Sequence, residues 1–582
     1  MTEHHGGDIV GEVLARHGVE HLFTLCGGHI SPILVGAKRR GIRVVDVRDE
    51  ASAVFAADAV ARMTGIAGVA AVTAGPGVTN TLTAIKNAQL AQSPLLIFGG
   101  ATATLLKGRG ALQDIDQISL VESAVKWCTK VSTLSALKPT VERALEVAES
   151  GVPGPVFIEV PVDLLYPESV VTGWYIAESG VENAKGIGNK ALELFLKGHL
   201  YKQFHLPHVD LSAPARLLAR TPSAPEGQIA RVADRLRTAE RPALVIGNQT
   251  MVGCHDAASL ASAIERLGIP TWLGGAARGL LGRDNPIQFR HARGKSLKEA
   301  DVVIVCGFPF DFRLKYGRAI SGKATVVSAN LSDEELKKNR RPEIGVEMHP
   351  ADFLRALADA SAAPGSRWDG WIAAVKKRED ARDAEIAKQA RTDTQLVDPI
   401  HFFLRMEEKL ADDSVIVADG GDFVATGAYI LKPRRPLSWL DPGVYGTLGV
   451  GGGFAVGAAC VRPSAEVWLV WGDGSSAYSL AEFDTFARHG LAPIAVIGTD
   501  ALWAQIARDQ TELLGDDVGT TLVRTAYHDV AEGYGGKGLL LTDPAKIDAT
   551  LDEAKAIAKS GKPVCVNVHL APSDFRKGSI SI

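Results

Sequence analysis

The sequence predicts an α/β protein built from three doubly wound parallel sheets, on three observations. Short apolar strands alternate with helical segments, the alternation recurs in three blocks, and less regular or charge-dense stretches separate the blocks. The 582 residues suit three or four domains at roughly 150 residues each.

The first block covers residues 1–165. Ile9, Val10, Val13 and Leu14 share one helical face that ends near Gly18. Strands are predicted at 21–25, 43–47, 69–73, 95–98 and 156–160, with Ala-rich helices at 51–63 and 80–91 between them. A less regular connector follows at 166–236. Its 175–204 portion is apolar and aromatic, which suggests an inserted helix that packs over something, with a membrane-surface helix as the rival reading. The second block, 237–375, has predicted strands at 243–247, 271–274, 301–306 and 325–328. The charge-dense run 376–394, within a linker at 376–398, reads as a solvated helix. The third block, 399–582, has predicted strands at 414–418, 467–471, 494–498 and 563–568, and a helix at 478–488.

Composition narrows the function classes. With 46% hydrophobic and 22% charged residues the chain is not of disordered type, and a net charge of -4 argues against a general nucleic-acid binder. The six cysteines, Cys26, Cys128, Cys254, Cys306, Cys460 and Cys565, are scattered without a CxxC pair. They read as reduced, mostly buried thiols rather than a disulfide framework or a zinc site. No run approaches the roughly 20 apolar residues that span a bilayer, and no signal peptide is visible. A soluble, cytoplasmic protein without membrane or nucleic-acid partners is expected.

The sharpest local motif is Gly472-Asp473-Gly474, directly after the apolar run 467–471. Glycines at a strand end let the backbone turn sharply and bring amides to an anion, and a following helix favours a diphosphate there. Taken alone, the tripeptide also occurs in ordinary turns. A second strand end, Thr499-Asp500, follows after 24 intervening residues. Neighbouring parallel strands would bring Asp473 and Asp500 together as hard oxygen ligands suited to Mg²⁺.

This arrangement resembles the thiamine diphosphate signature, in which an Asn-Asn pair stands where this chain has Thr499-Asp500. The resemblance implies metal binding by the side chains of Asp473 and Asp500 and the carbonyl of Leu502. It also implies cofactor contacts at Gly472, Gly474 and Ser475 and at the loop Gly421, Asp422, Phe423. Relatives often carry Gln-His where this chain has Asp422-Phe423, which puts side-chain contacts there in doubt. At the pyrimidine end, a buried carboxylate that favours the imino tautomer is needed to remove the weakly acidic C2 proton. Glu50 is the candidate; a first-turn helix Glu favoured by the helix dipole is the plain alternative.

Further segments resemble the pyrimidine-binding domain of the acetolactate synthase, benzaldehyde lyase and 2-hydroxyacyl-CoA lyase group: Arg48 to Ala51, Thr73 to Asn80 with Pro76, and Asn87-Ala88-Gln89. With them the likeness spans nearly the whole chain and implies the three-domain thiamine diphosphate-dependent decarboxylase/acetolactate synthase fold. Gly27-Gly28-His29-Ile30-Ser31-Pro32, Gly108 to Gln113, Tyr445 to Gly449 and Asp574 to Ile580 resemble the 2-hydroxyacyl-CoA lyase branch. Its vertebrate member carries an amino-terminal membrane anchor with no counterpart before His4.

The resemblance implies a homodimer or homotetramer with active sites between subunits, Thr447 at the cofactor, and Leu448 as the apolar wedge beneath it. His29 and Gln113 match catalytic pocket positions. Gly28, Leu112, Trp503, Gln505 and Ile506 match the substrate pocket. The expected reaction is cleavage of a 2-hydroxyacyl-CoA into an aldehyde or ketone plus formyl-CoA, reversible as an acyloin condensation. Acetolactate synthase and benzaldehyde lyase-like activity on small carbonyl substrates are the alternatives, and a non-catalytic scaffold the remote one. In the second block, Gly274 to Gly279 and Gly307 to Arg313 could line a groove for ADP or for the ADP part of CoA; the plain reading of Arg278 and Arg313 is loop closure. FAD is not required by a cycle without net redox change. The tail 573–582 is expected to close over the pocket, with Arg576 or Lys577 near CoA phosphates.

Overall fold

The computed structural model describes residues 5–180, 187–204 and 226–578. Three six-stranded sheets, every paired strand parallel, carry the chain. The first holds β1 (His21–Leu25), β2 (Arg43–Asp46), β3 (Gly68–Val72), β4 (Leu95–Ala101), β5 (Trp127–Lys130) and β6 (Pro155–Pro161) in the order β2-β1-β3-β4-β6-β5. The second holds β7 (Pro242–Ile246), β8 (Thr271–Leu273), β9 (Gln288–Phe289), β10 (Val302–Cys306), β11 (Thr325–Asn330) and β12 (Ile344–Glu347) in the order β12-β11-β10-β7-β8-β9. The third holds β13 (Val415–Ala418), β14 (Trp439–Leu440), β15 (Val467–Gly472), β16 (Ile494–Thr499), β17 (Lys537–Leu541) and β18 (Val564–His569) in the order β14-β13-β15-β16-β18-β17. The chain forms two compact units, one with the first sheet and one with the other two.

The central strands explain why apolar runs were legible. β3, β4, β6, β7 and β10 are buried at every residue, as parallel strands covered on both faces must be. Their side chains meet helices on either side. In the first unit, for example, Val69, Leu96, Ile158, Val141 and Leu145 belong to one core.

The helix predicted at 80–91 is present as Leu82–Ala91, preceded by a separate short helix Pro76–Thr79. Four expectations change. The apolar 175–204 stretch is not one helix. Tyr175 ends up in Glu168–Ser179, and a second helix runs Ile187–Phe204, while part of the connector, 181–186 and 205–225, lies outside the described residues. These helices fold back onto their own unit, where Val171, Tyr175, Leu196 and Leu200 pack with Ala103. Glu226–Thr238 crosses the boundary expected at 236 and supplies Val232 and Leu236 to the second sheet's core.

The supposed solvated linker also belongs to the fold. Asp369–Gln389 is one helix with Trp371, Val375 and Ile386 buried, and its Glu379 and Asp383 bind the backbone and side chains of Arg290 and His291. Finally, the segment after Gly472 is a short helix, Asp473–Ser476, separated from Glu482–His489, so Tyr478 lies in a turn. Of the cysteines, four are buried, Cys128 is partly so, and Cys26 is exposed at the end of β1. No helix among the described residues is long and apolar enough to cross a membrane.

Candidate active site

In the third sheet β13, β15 and β16 lie side by side, with Ala418 opposite Val470 and Gly472 opposite Gly498. Their carboxyl ends deliver the loops after Ala418, Gly472 and Thr499 to one edge, where ligands bind in open α/β sheets. A cleft of about 770 Å³ opens there, lined by Gly421, Asp422, Phe423, Leu448, Gly472, Asp473, Gly474, Ser475, Asp500, Leu502, Trp503, Gln505 and Ile506. The expected diphosphate and metal residues are thus assembled, except Thr447, whose hydroxyl turns to the Leu448 carbonyl.

The glycines are needed for space. Gly421 has φ 108°, a conformation that only glycine adopts without strain. A Cβ on Gly472 would lie 3.0 Å from the Gly420 carbonyl oxygen, and one on Gly474 would lie 2.4 Å from the Trp503 ring. Leu448 packs directly against Gly420. The cradle of small residues and amides suits a diphosphate, and the oxygen donors beside it suit a hard divalent cation.

Asp473 is buried, and both its oxygens accept backbone amides: Oδ1 from Gly474 at 2.8 Å and Oδ2 from Ala501 at 2.8 Å. Burial still pushes its carboxyl above the usual range. Asp500 accepts one amide, from Leu502 at 3.0 Å. Burial, and then the charges of Asp473 and Asp422, push Asp500 up to about 7. Carboxylates so crowded favour a cation between them.

Phe423 is a core residue first. Its ring packs on Phe402 and Phe403 and under Gly498, so its place at the cleft comes from the backbone. The sequence reading missed Asp419. Buried at the end of β13, it accepts amides from Gly449 at 3.0 Å and Gly451 at 2.8 Å and the Trp471 indole at 3.1 Å. It therefore fixes the Leu448 loop against β15. An aspartate directly after an apolar strand and before two glycines was the available signal.

The first unit gathers the other predicted residues around Thr73, at the carboxyl ends of β1 and β3. His29 Nδ1 lies 3.2 Å from Thr73 Oγ1, and Gly27 and Gly77 both pack on the Thr73 side chain. Burial holds the His29 imidazole below the ordinary histidine value, so the ring is neutral at pH 7. Glu50 opens the helix Glu50–Thr64, is 7% exposed, and accepts the Asn80 amide at 3.1 Å. Gln113 adopts φ 63°, uncommon for a residue with a side chain, and backs onto Gly75, where a Cβ would meet it at 3.0 Å. Pro76 is exposed beside this cluster. Gly28 is also exposed, and its carbonyl accepts the Tyr166 hydroxyl. Leu112 is 81% exposed.

A second missed feature supports this loop. Gln117, buried, accepts the Gly75 amide at 2.9 Å and donates to the Gly100 carbonyl and to Glu159, which in turn pairs with Lys107. These partners lie far apart in the chain, so no local pattern marks them.

In the second sheet, Arg278 and Arg313 are committed within the protein. Arg278 donates to the Ala428 carbonyl at 2.6 Å and stacks on Trp439, while Arg313 pairs with Asp311 at 2.6 Å and covers Phe308. Phe308 itself lies against Gly247 and Gly274, across the carboxyl ends of β7 and β8. Both arginines thus make the loop-closing contacts of the plain reading.

The tail, described to Gly578, docks on its own domain. Phe575 packs edge-on to Tyr429, Arg576 lies over the same ring, and Lys577 is exposed. Arg576 lines a pocket of about 360 Å³ that shares Asp422, Asp500 and Leu502 with the larger cleft. Ile580 and Ile582 lie outside the described residues.

Comparison with known proteins agrees with this geometry. Residues 4–120, 229–357 and 419–568 match the thiamine pyrophosphate enzyme N-terminal, central and C-terminal domains respectively. Over 592 residues the chain is 47% identical to 2-hydroxyacyl-CoA lyase 2 of Danio rerio, covering 100% of this chain and 94% of that protein. Identity to the Homo sapiens 2-hydroxyacyl-CoA lyase 2 is 43%, covering 99% and 92%. An acetolactate synthase large subunit of Mycobacterium tuberculosis is 32% identical, covering 98% and 96%.

Proposed function

The chain belongs to the thiamine pyrophosphate enzyme family, and from that premise we propose that it cleaves 2-hydroxyacyl-CoA to an aldehyde or ketone plus formyl-CoA. The same chemistry reversed is an acyloin-type condensation. The observation that carries this reading is full-length identity of 43–47% to proteins named 2-hydroxyacyl-CoA lyase 2, against 32% to acetolactate synthase. Thiamine diphosphate, when bound, supplies an electron sink for the bond that breaks beside the carbonyl.

The protein's own groups bind, orient and move protons. Asp473, Asp500 and the Leu502 carbonyl hold a divalent cation, Mg²⁺ by the hardness of the donors. Amides of the Gly421 and Gly472–Ser475 loops would hold the diphosphate, and Leu448, packed on Gly420, would be the apolar residue that supports the cofactor. Glu50 holds a proton at the aminopyrimidine. Neutral His29 and Gln113 offer hydrogen bonds to the substrate oxygen without adding charge. The two half-sites lie in different compact units, and the catalytic unit is a homodimer or homotetramer in which different subunits complete each site.

Three substrates test the reading. With thiamine diphosphate and Mg²⁺, kcat/KM for a 2-hydroxyacyl-CoA is expected to exceed that for pyruvate or benzoin by at least about 100-fold, roughly 2.7 kcal/mol. Preference for pyruvate would reassign the chain to acetolactate synthesis, and preference for benzoin to acyloin cleavage.

The tail is proposed to recognise the CoA moiety through Arg576, which lines the smaller pocket. A protein ending at Pro572 is expected to show KM raised about 10-fold for the CoA substrate and unchanged for a small acyloin, the loss of one charge-assisted contact. Equal kinetics on both substrates, with folding intact, would remove the tail from CoA recognition.

A further inference from the structure

The helix Ala504–Leu514 presents Gln505 and Ile506 to the large cleft, yet none of its residues is buried. A helix without a buried apolar stripe needs another attachment. Arg508 provides one. Its Nη2 lies 2.6 Å from Asp422 Oδ2, with both side chains largely shielded at 16% and 15% exposure. Asp422 opens the helix Asp422–Ile430, whose first residues line the same cleft. The ion pair therefore joins the wall expected to hold the diphosphate to the helix that faces the substrate.

The charge balance makes the pair necessary for an anion. Asp422, Asp473 and Asp500 surround one end of the cleft, and a diphosphate adds further negative charge that a divalent cation only partly offsets. Of the other arginines nearby, Arg278 is engaged with the Ala428 carbonyl and Trp439 and Arg524 with the Thr499 and Leu570 carbonyls, while Arg576, over the Tyr429 ring, adds a second positive charge near Asp422 that makes no direct pair with it. Arg508, which lines the smaller pocket, also keeps Nη1 buried without a hydrogen-bond partner among the described residues.

We propose that Arg508 is a positioning residue for the reaction: by cancelling the charge of Asp422 it lets the diphosphate bind, and by the same contact it docks the Gln505–Ile506 turn against the substrate. The proposal rests on the thiamine diphosphate reading. It predicts two separable consequences of losing the guanidinium. Diphosphate affinity falls because Asp422 loses its paired guanidinium and keeps only the charge of Arg576 near it, and substrate KM rises because the helix loses its tie.

Titration of the full-length protein with thiamine diphosphate and Mg²⁺, followed by isothermal calorimetry and by the change in total tryptophan fluorescence, to which Trp503 against Gly474 contributes, reads the first consequence. Arg508→Ala is expected to weaken thiamine diphosphate by about 10- to 100-fold, as removal of one partner of a shielded ion pair does. Adding Asp422→Asn should restore affinity to within about threefold of the parent while leaving KM for the 2-hydroxyacyl-CoA raised. Asp422→Asn alone should bind the cofactor no more weakly than the parent, which keeps the idea testable if Arg508→Ala does not fold. Cofactor affinity unchanged in Arg508→Ala, no recovery in the double variant, or tenfold weaker binding in Asp422→Asn would each overturn it. Failure of the parent protein to bind thiamine diphosphate would instead overturn the family-based reading.

Discussion

Glu50→Gln is expected to leave a folded protein whose turnover falls by about 10²- to 10⁴-fold, the usual loss when a positioned proton-transfer group is removed. Glutamine keeps the shape and an oxygen that can still accept from Asn80. What it loses is the ability to ionise and to share a proton at the aminopyrimidine. The plain alternative, a first-turn glutamate favoured by the helix dipole, predicts a different result: about 0.3–1 kcal/mol of stability and no specific catalytic loss. Exchange of the C2 proton of bound cofactor, followed by NMR in deuterated water, separates the two when paired with a thermal melt. Exchange at the parent rate in a cofactor-loaded Glu50→Gln protein would leave Glu50 a helix-capping residue only. Its position favours the catalytic role, because a carboxylate 7% exposed beside Asn80 and Gly77, the glycine that packs on Thr73, is poorly placed merely to stabilise a helix end.

The sequence was legible where burial made it so. In each sheet the central strands were predicted to within a few residues, since a strand covered on both faces is apolar throughout. The strands it did not show are β5, β9, β12, β14 and β17, and each lies at a sheet edge. Edge strands are short or half-exposed; β9 and β14 have two residues each, and β17 is mostly not buried. Nothing in Gln288–Phe289 or Lys537–Leu541 separates them from loop. The helix Asp369–Gln389 misled for the converse reason: its charges are used in contacts, with Glu379 and Asp383 holding Arg290 and His291. At the site, residues in sequence motifs were found together, Asp473 with Asp500 and Glu50 with Asn80. Asp419, Gln117 and Arg508 were not found because their partners lie at positions that only the folded chain brings near.

The metal pair is expected to respond unequally to the same chemical change. Asp473 uses both carboxylate oxygens on backbone amides, Gly474 on one side and Ala501 on the other. Asparagine offers one oxygen and one NH₂, so in either orientation an NH₂ faces a backbone N–H, and a buried donor is left unsatisfied. One of the two loops must then move, in addition to the loss of a ligand charge. Asp500 uses a single oxygen, on the Leu502 amide. Asparagine can keep that bond, and its neutrality relieves the repulsion from Asp473 and Asp422 that helps raise the Asp500 carboxyl to about 7. Asp473→Asn should therefore weaken Mg²⁺-dependent thiamine diphosphate binding by at least about 100-fold, beyond the 10- to 100-fold typical of losing a mere supporting contact. Asp500→Asn should cost less than about 10-fold. Titration of each variant with thiamine diphosphate at fixed Mg²⁺, then with Mg²⁺ at fixed thiamine diphosphate, measures both. Equal losses, or a larger loss at Asp500, would mean that charge alone governs the site and that the amide contacts of Asp473 do not hold its loops in place.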